Sequence, residues 1–177
     1  MSQLQMIWPE SLLHHPPPVE LEPDYLLRCF TPADEPAWLA VMALANFEGW
    51  DHDRLAGTIP RLLPDGFFLA VHRPTGQVVA TAMATHNPDD LHPYGGELGW
   101  VVGDPAHRGH GLGQAVCSAV VARLLSAGYR RLYLKTDDWR LPALKIYLKM
   151  GFAPLLYAED MADRWEKVYE AVGWAET

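Results

Sequence analysis

Residues 97–128, ELGWVVGDPAHRGHGLGQAVCSAVVARLLSAG, do most to limit the folds open to this chain. Glu97 to Gly103 reads as an apolar strand. A polar, glycine-rich link follows, and then apolar residues recur at helical spacing: Leu112, Val116, Val120 and Leu124. Gly128 stands where a glycine ends a helix. A strand that runs directly into a helix of three to four turns is a βα unit, so the fold class is α/β. Gly109, Gly111 and Gly113 crowd the start of that helix, although glycine costs a helix interior roughly 1 kcal/mol relative to alanine. At a helix N-terminus they have a use. The first N–H groups there lack intrahelical partners and the helix dipole favours negative charge, so an open backbone can receive a phosphate.

The rest of the chain alternates in the same way. Residues 1–24 contain HHPPPVELEP, whose consecutive prolines favour extended polyproline II. This segment is read as an N-terminal arm that packs on its own domain or on a second copy of the chain, so a homodimer is one expectation. A strand is predicted at 25–30. Thr31 then caps a helix carrying Trp38, Val41, Met42 and Ala45, and a shorter helix is interrupted near Pro60. Residues 66–72 and 77–86 form a hairpin about RPTG. After the polar loop 86–96 and the βα unit come a strand at 129–136, a helix over LPALKIYLKM, a strand at 152–157 and a C-terminal helix. The order implies a mixed central β-sheet with helices on both faces. The domain lies at 25–157, and the helix of 158–177 packs on it or on a partner subunit.

Composition removes several classes of function. The net charge of −8 would be repelled by a phosphate backbone, so no nucleic acid is expected. No stretch approaches the roughly 20 apolar residues of a membrane span, and the N-terminus lacks a signal-peptide layout, so a cytoplasmic protein is expected. Two cysteines, Cys29 and Cys117, make neither a disulfide framework nor a C-x-x-C zinc pair. The eight histidines show no H-E-x-x-H or helical H-x-x-x-H spacing, and no metal is expected.

Two familiar phosphate loops fail at single positions. A P-loop would need Lys-Ser or Lys-Thr after its second glycine. The dinucleotide fingerprint G-x-G-x-x-G meets Gln114 from Gly109 and Val116 from Gly111. The stretch reads R-x-x-G-x-G after Asp104-Pro105, and it resembles the acetyl-CoA-binding motif of the GNAT family of N-acetyltransferases. A second block, LPALKIYLKMGFAPL, is similar to that family's A-x-x-x-Y-x-x-x-G-F pattern through Ala143, Tyr147, Gly151 and Phe152. The resemblance covers roughly residues 66–157.

The resemblance implies a GNAT acyl-CoA acyltransferase fold with acetyl-CoA as co-substrate. Backbone N–H groups of Arg108, Gly109, His110, Gly111, Leu112 and Gly113 would hold the pyrophosphate. The strand end at Val101, Val102 and Gly103 would bond the pantetheine arm, between two strands that splay apart. An N–H near Val101 or Val102 would stabilise an oxyanion. Tyr147 falls on the family's tyrosine and implies a general acid toward the departing thiolate; the plainer alternative is a ring packed beside the cofactor. Glu97 holds the place of a general-base glutamate, or is a strand-start salt bridge. Arg140 replaces a frequent asparagine and would pair with Asp137 or Asp138, or bond a CoA phosphate. The family's usual last strand has no recognisable counterpart after residue 157.

On the acceptor side, Trp50, His86, Asp89 and Asp90 are the candidate residues, with His92, Glu48, Asp51 and Asp53 nearby in sequence. The acidic groups could receive a cation and Trp50 could stack on it; the plain alternative is two solvated acidic loops. The activity so implied is acetyl transfer from acetyl-CoA to the amine of a small molecule, or to a protein amine. The other class of function is a non-catalytic acyl-CoA sensor, which needs the glycine loop but neither Glu97 nor Tyr147.

Overall fold

A computed structural model of the 177-residue chain describes residues 2–45, 47 and 49–174. The strands are β1 Leu4–Ile7, β2 Tyr25–Cys29, β3 Leu62–His72, β4 Gln77–His86, β5 Gly96–Gly103, β6 Leu132–Thr136 and β7 Ala153–Pro154. The helices are α1 Glu35–Leu44, α2 His52–Thr58, α3 Leu112–Ser126, α4 Leu141–Met150 and α5 Met161–Val172. All strands join one mixed sheet in the order β2-β3-β4-β5-β6-β1-β7, with β5 and β6 its parallel pair.

Both faces of the sheet are buried, which is why β4 reads as a nearly unbroken apolar run. Side chains alternate along β3. Phe67, Leu69 and Val71 join Trp38, Val41, Met42 and Leu55 of α1 and α2 on one face. Ala70 points to the opposite core with Ala80, Ala82 and Ala84 of β4, and those small side chains let α3 lie close with Val116, Val120 and Leu124. Trp38 crosses into the sheet, where its indole N–H donates to Thr81 Oγ1 at 3.2 Å. α4 and α5 complete the α3 face through Leu144, Leu148, Met161, Trp165 and Val168.

The N-terminal segment packs on its own domain, and part of it does so as a strand. Leu4–Ile7 is a strand, antiparallel to β6 from Leu4↔Thr136 to Ile7↔Tyr133, and to β7 through Met6↔Pro154. Leu4 and Met6 are fully buried and Trp8 packs edge-on against Phe152. These apolar side chains bind the segment into the core, and the prolines that follow only carry the chain back across it. The chain thus supplies from its start the strand that the resemblance leaves missing at its end. The strand expected at 152–157 shortens to Ala153–Pro154 at the sheet edge, where Pro154 is tolerated, and one further bond to β1 follows from Leu155 N–H to Gln5 O at 2.9 Å.

Candidate active site

Strands β5 and β6 pair only at Gly96↔Leu132 and Glu97↔Tyr133. Beyond that root they part, and β6 follows β1 instead. A bulge drives β5 away. Thr81 pairs with Val102 and Met83 with Gly99, so Trp100 and Val101 stand opposite the single residue Ala82. Trp100 takes a left-handed backbone, φ 54°, and such a bulge sharpens local twist and frees backbone groups from the ladder. The wedge between the strands holds a cavity of about 280 Å³. Glu97 lies at its root, Gly99, Trp100 and Val101 line one side, and Lys135, Thr136 and Asp137 line the other. Ala143 and Tyr147 reach it from α4 and Arg140 from the cap of that helix, Gln3 from just before β1 and Phe47 from the α1–α2 connection.

The carboxyl end of β5 leads to the glycine loop. Asp104 anchors the loop by donating its N–H to Val79 O at 2.7 Å and accepting the Ala106 N–H at 2.8 Å. Gly109 and Gly111 have φ of 91° and 69°, and a Cβ on either would meet open space. The chain needs glycine there for its dihedrals, since L side chains disfavour that region by about 1–2 kcal/mol. Gly113 serves a different purpose. It lies within α3, and a Cβ on it would stand 3.0 Å from Ile146 Cδ1 of α4. Gly111 caps α3 with no side-chain bond, and the first helical bond runs from Ala115 N–H to Gly111 O. The N–H groups of Leu112, Gly113 and Gln114 precede that bond and are open to a ligand. Such a terminus, at the mouth of an unpaired strand edge, fits a pyrophosphate joined to an extended arm. Leu112 buries its side chain in the core, Val102 does so on the other face, and Gly103 is exposed. Arg108 is exposed, while His110 Nδ1 lies 2.8 Å from Glu22 Oε2.

Two titratable groups face the cavity from opposite sides. Tyr147 is 5% exposed and its hydroxyl has no hydrogen bond among the described residues. Burial pushes its phenol well above the ordinary value and Cys117 adds to the shift, while Arg140 opposes it. Burial likewise raises the Glu97 carboxyl, against the lowering effect of the Asn87 amide. Asn87 Nδ2 donates to Glu97 Oε2 at 2.7 Å, and Arg61 Nη1 donates to Asn87 Oδ1 at 3.1 Å. Arginine only donates, so the amide orientation is determined: oxygen toward Arg61, NH₂ toward Glu97. Tyr133 donates its hydroxyl to Asn87 O, and Asn87 N–H donates to Gly95 O at 3.1 Å. Glu97 Oε1 is left for the cavity.

Arg140 pairs with Asp137 at 3.1 Å, and its guanidinium lies 4.4 Å from the ring centroids of both Phe47 and Trp139. Asp138 is bound by Arg164 instead.

The acceptor candidates do not gather at the cavity. Trp50 packs edge-on against Trp38 and Trp100, with the Arg54 guanidinium 4.6 Å over its ring, so that face already holds a cation. Asp89 accepts from Lys135 at 2.8 Å and from the Leu91 and His92 N–H groups. His86 turns to Tyr129 OH at 2.9 Å, lining a separate groove, and Asp90 is solvent-exposed. His92 is fully buried, stacked 3.8 Å from the Tyr133 ring. Asp51 caps α2 through the Arg54 N–H at 2.9 Å, Asp53 is exposed beside it, and Glu48 lies outside the described residues. Asn87 and Arg61 were not foreseen. Asn87 sits between the strand and Pro88, and a lone neutral amide there carries no recognisable motif. Among the described residues no group of three or more His, Cys, Asp or Glu able to hold a metal occurs, and no helix there is long and apolar enough to cross a membrane.

Known proteins share this architecture. The acetyltransferase (GNAT) family model matches residues 19–152. The chain is 33% identical over 150 residues to the mycothiol acetyltransferase of Arthrobacter sp. (strain FB24), covering 77% of this chain and 45% of the relative. It is 35% identical over 151 residues to the mycothiol acetyltransferase of Thermobispora bispora, covering 77% and 49%. The chain therefore spans about half the length of the curated relatives it matches. Among solved structures, a GCN5-related N-acetyltransferase from Sphaerobacter thermophilus superposes with a TM-score of 0.64 at 23% identity, covering 86% of this chain and 48% of that one. The ribosomal-protein-S18-alanine N-acetyltransferase from Escherichia coli does so at 0.58 and 20% identity, covering 73% and 77%; both likenesses concern the fold. With a match running from residue 19 to residue 152 and a sheet that splays at the glycine loop, the chain belongs to the acetyltransferase (GNAT) family.

Proposed function

We propose that this chain transfers an acetyl group from acetyl-CoA to the primary amine of a small molecule. The observation that carries the reading is the joint presence of Glu97 and Tyr147 in one cavity between splayed strands, with the open N-terminus of α3 beyond it. Bound acetyl-CoA supplies an activated thioester. The loop from Arg108 to Gly113 and the first turn of α3 hold its pyrophosphate, and the free edge of β5 at Val101, Val102 and Gly103 bonds its arm. Arg140, already neutralised by Asp137, shapes the passage more than it binds phosphate.

Glu97 takes one proton from the incoming ammonium through Oε1, which makes the amine nucleophilic. The new C–N bond forms as the C–S bond breaks. Tyr147 gives its proton to the departing sulfur and recovers one from the nitrogen as the amide forms, so one proton leaves to solvent overall. Burial suits both groups to these parts, since a raised carboxyl is a stronger base and a neutral phenol keeps its proton until a thiolate develops beside it.

The test is thiol release from acetyl-CoA across a panel of primary amines. Tyr147→Phe is expected to lower kcat about 100-fold with little change in the KM for acetyl-CoA, and Glu97→Gln to lower kcat/KM for the amine by a similar factor. Unchanged rates in both variants overturn the assignment of roles. Thermal protection by CoA with no thiol release from any amine would favour the sensor reading.

A further inference from the structure

The cavity carries three cations, and two of them are already matched. Lys135 pairs with Asp89 and Arg140 with Asp137. The third, Arg61, lines the cavity with no carboxylate within ion-pair distance among the described residues; its partner is the neutral Asn87 oxygen. Glu97 is the complementary case, a carboxyl lining the cavity whose partner is the neutral Asn87 NH₂. One amide thus separates an unmatched guanidinium from an unmatched carboxylate. The two bonds measure 2.7 and 3.1 Å, and an amide's O and N lie about 2.3 Å apart, so Arg61 Nη1 and Glu97 Oε2 are within about 8 Å.

Resting on the acetyltransferase reading, we propose that the acceptor is a free α-amino acid, its ammonium on Glu97 Oε1 and its carboxylate on Arg61. An amino acid presents its two charges about 3 Å apart, and one hydrogen bond of about 2.9 Å at each end makes a chain of roughly 9 Å, which spans the gap. Guanidinium offers a carboxylate paired donors, and charge-assisted bonds of this kind are the strong ones. Arg61 is solvent-exposed at the cavity rim, so an amine without a carboxylate leaves it to water and forgoes only the charge-assisted bonds. Phe47 and Trp100, edge-on with ring centroids 5.9 Å apart, add aromatic edges to the lining, so apolar and aromatic amino acids are the favoured members.

The experiment measures thiol release with L-alanine, L-leucine, L-methionine, L-phenylalanine and L-tryptophan. Each is compared with its carboxamide and its decarboxylated amine. The carboxamide holds more of its amine neutral at pH 8, so nucleophilicity alone favours it. The proposal expects the amino acid to exceed its carboxamide at least tenfold in kcat/KM for the best side chain. Arg61→Gln, which keeps a donor for Asn87 Oδ1 but removes the charge, brings that ratio to about 1 through the KM of the amino acid. Arg61→Lys retains part of the ratio, and Arg130→Gln, outside the cavity, retains all of it. Equal use of amino acid and carboxamide by the wild type overturns the proposal, as does a ratio that survives Arg61→Gln. Transfer to the neutral amines alone sinks this inference and leaves the acetyltransferase reading standing, as does release with other primary amines only, whereas thiol release from none of the fifteen compounds and none of the wider amine panel removes both.

Discussion

Replacing Gly111 by alanine separates what the glycine loop does for the fold from what it does for a ligand. At φ 69° the new side chain meets no atom within 4 Å, so the penalty is conformational alone. A single L residue in the left-handed region costs about 1–2 kcal/mol, and about 0.4–1 kcal/mol returns because alanine restricts the unfolded chain. The net is about 1 kcal/mol, or about 2–4 °C in Tm for a chain of this size. Gly128, at the far end of α3, offers the matching control. Its φ is 86° and a Cβ there also meets nothing, so Gly128→Ala should lower Tm by the same amount. The two variants differ in place. Gly111 caps the helix end that we assign to the pyrophosphate, and losing one charge-assisted N–H bond of about 1.5–3 kcal/mol raises the KM for acetyl-CoA roughly 10- to 150-fold. Gly128→Ala leaves that KM at the wild-type value. Steady-state kinetics with melting curves on both proteins decide the matter. An unchanged KM in Gly111→Ala, or an equal rise in Gly128→Ala, refutes the assignment of the loop.

Two further predictions follow from the groups around the root of the wedge. Asn87→Asp sets a second carboxylate beside Glu97 in place of the NH₂ donor; like charge raises a carboxyl further, so the acid limb of the rate profile moves to higher pH than in the wild type, where burial, with a smaller push from Asp89, already holds Glu97 above its ordinary 4.5. His92 accepts from Arg131 Nε at 3.1 Å on Nδ1 and donates from Nε2 to Gln5 Oε1 at 2.6 Å, a neutral tautomer, and burial holds it down to about 4. A folded value below the free one of 6.5 gives stability that is complete above pH 6.5 and lost as pH falls toward 4; urea titrations should show His92→Gln less stable at neutral pH but with a flatter slope across that window.

Local signals account for what was legible in the sequence. The RPTG hairpin, the glycine loop and the apolar period of α3 each lie within a few residues of their own punctuation, and the structure has them within a few residues of the predicted bounds. Glu97 and Tyr147 could be named only because two motifs resemble those of a known family, and they line the same cavity. The acceptor wall was not legible, because charge in a sequence does not name its partner. Asp89 looked free for a cation until Lys135, 46 residues away, was beside it. Trp50 looked like a stacking platform, and Arg54 occupies its face. Asn87 escaped notice for the converse reason: its importance comes from four bonds to residues distant in sequence or on separate strands, none implied by its neighbours.

The placement of β1 has a consequence in time. Its two sheet neighbours begin at Leu132 and Ala153, so β1 waits on strands more than 120 residues later. At about 5–20 residues per second of synthesis, that wait is roughly 6–25 s on the ribosome. During it Leu4, Met6 and Trp8, all buried in the finished protein, have no core to enter. Pairings this remote pay loop-closure entropy before any contact repays it, which slows folding and prolongs exposure of unpaired edges. Gln3, just before β1, lines the cavity and donates to Asp137 at 3.2 Å. The wall of the cavity is therefore completed by residues that wait for strands made more than 120 residues after them.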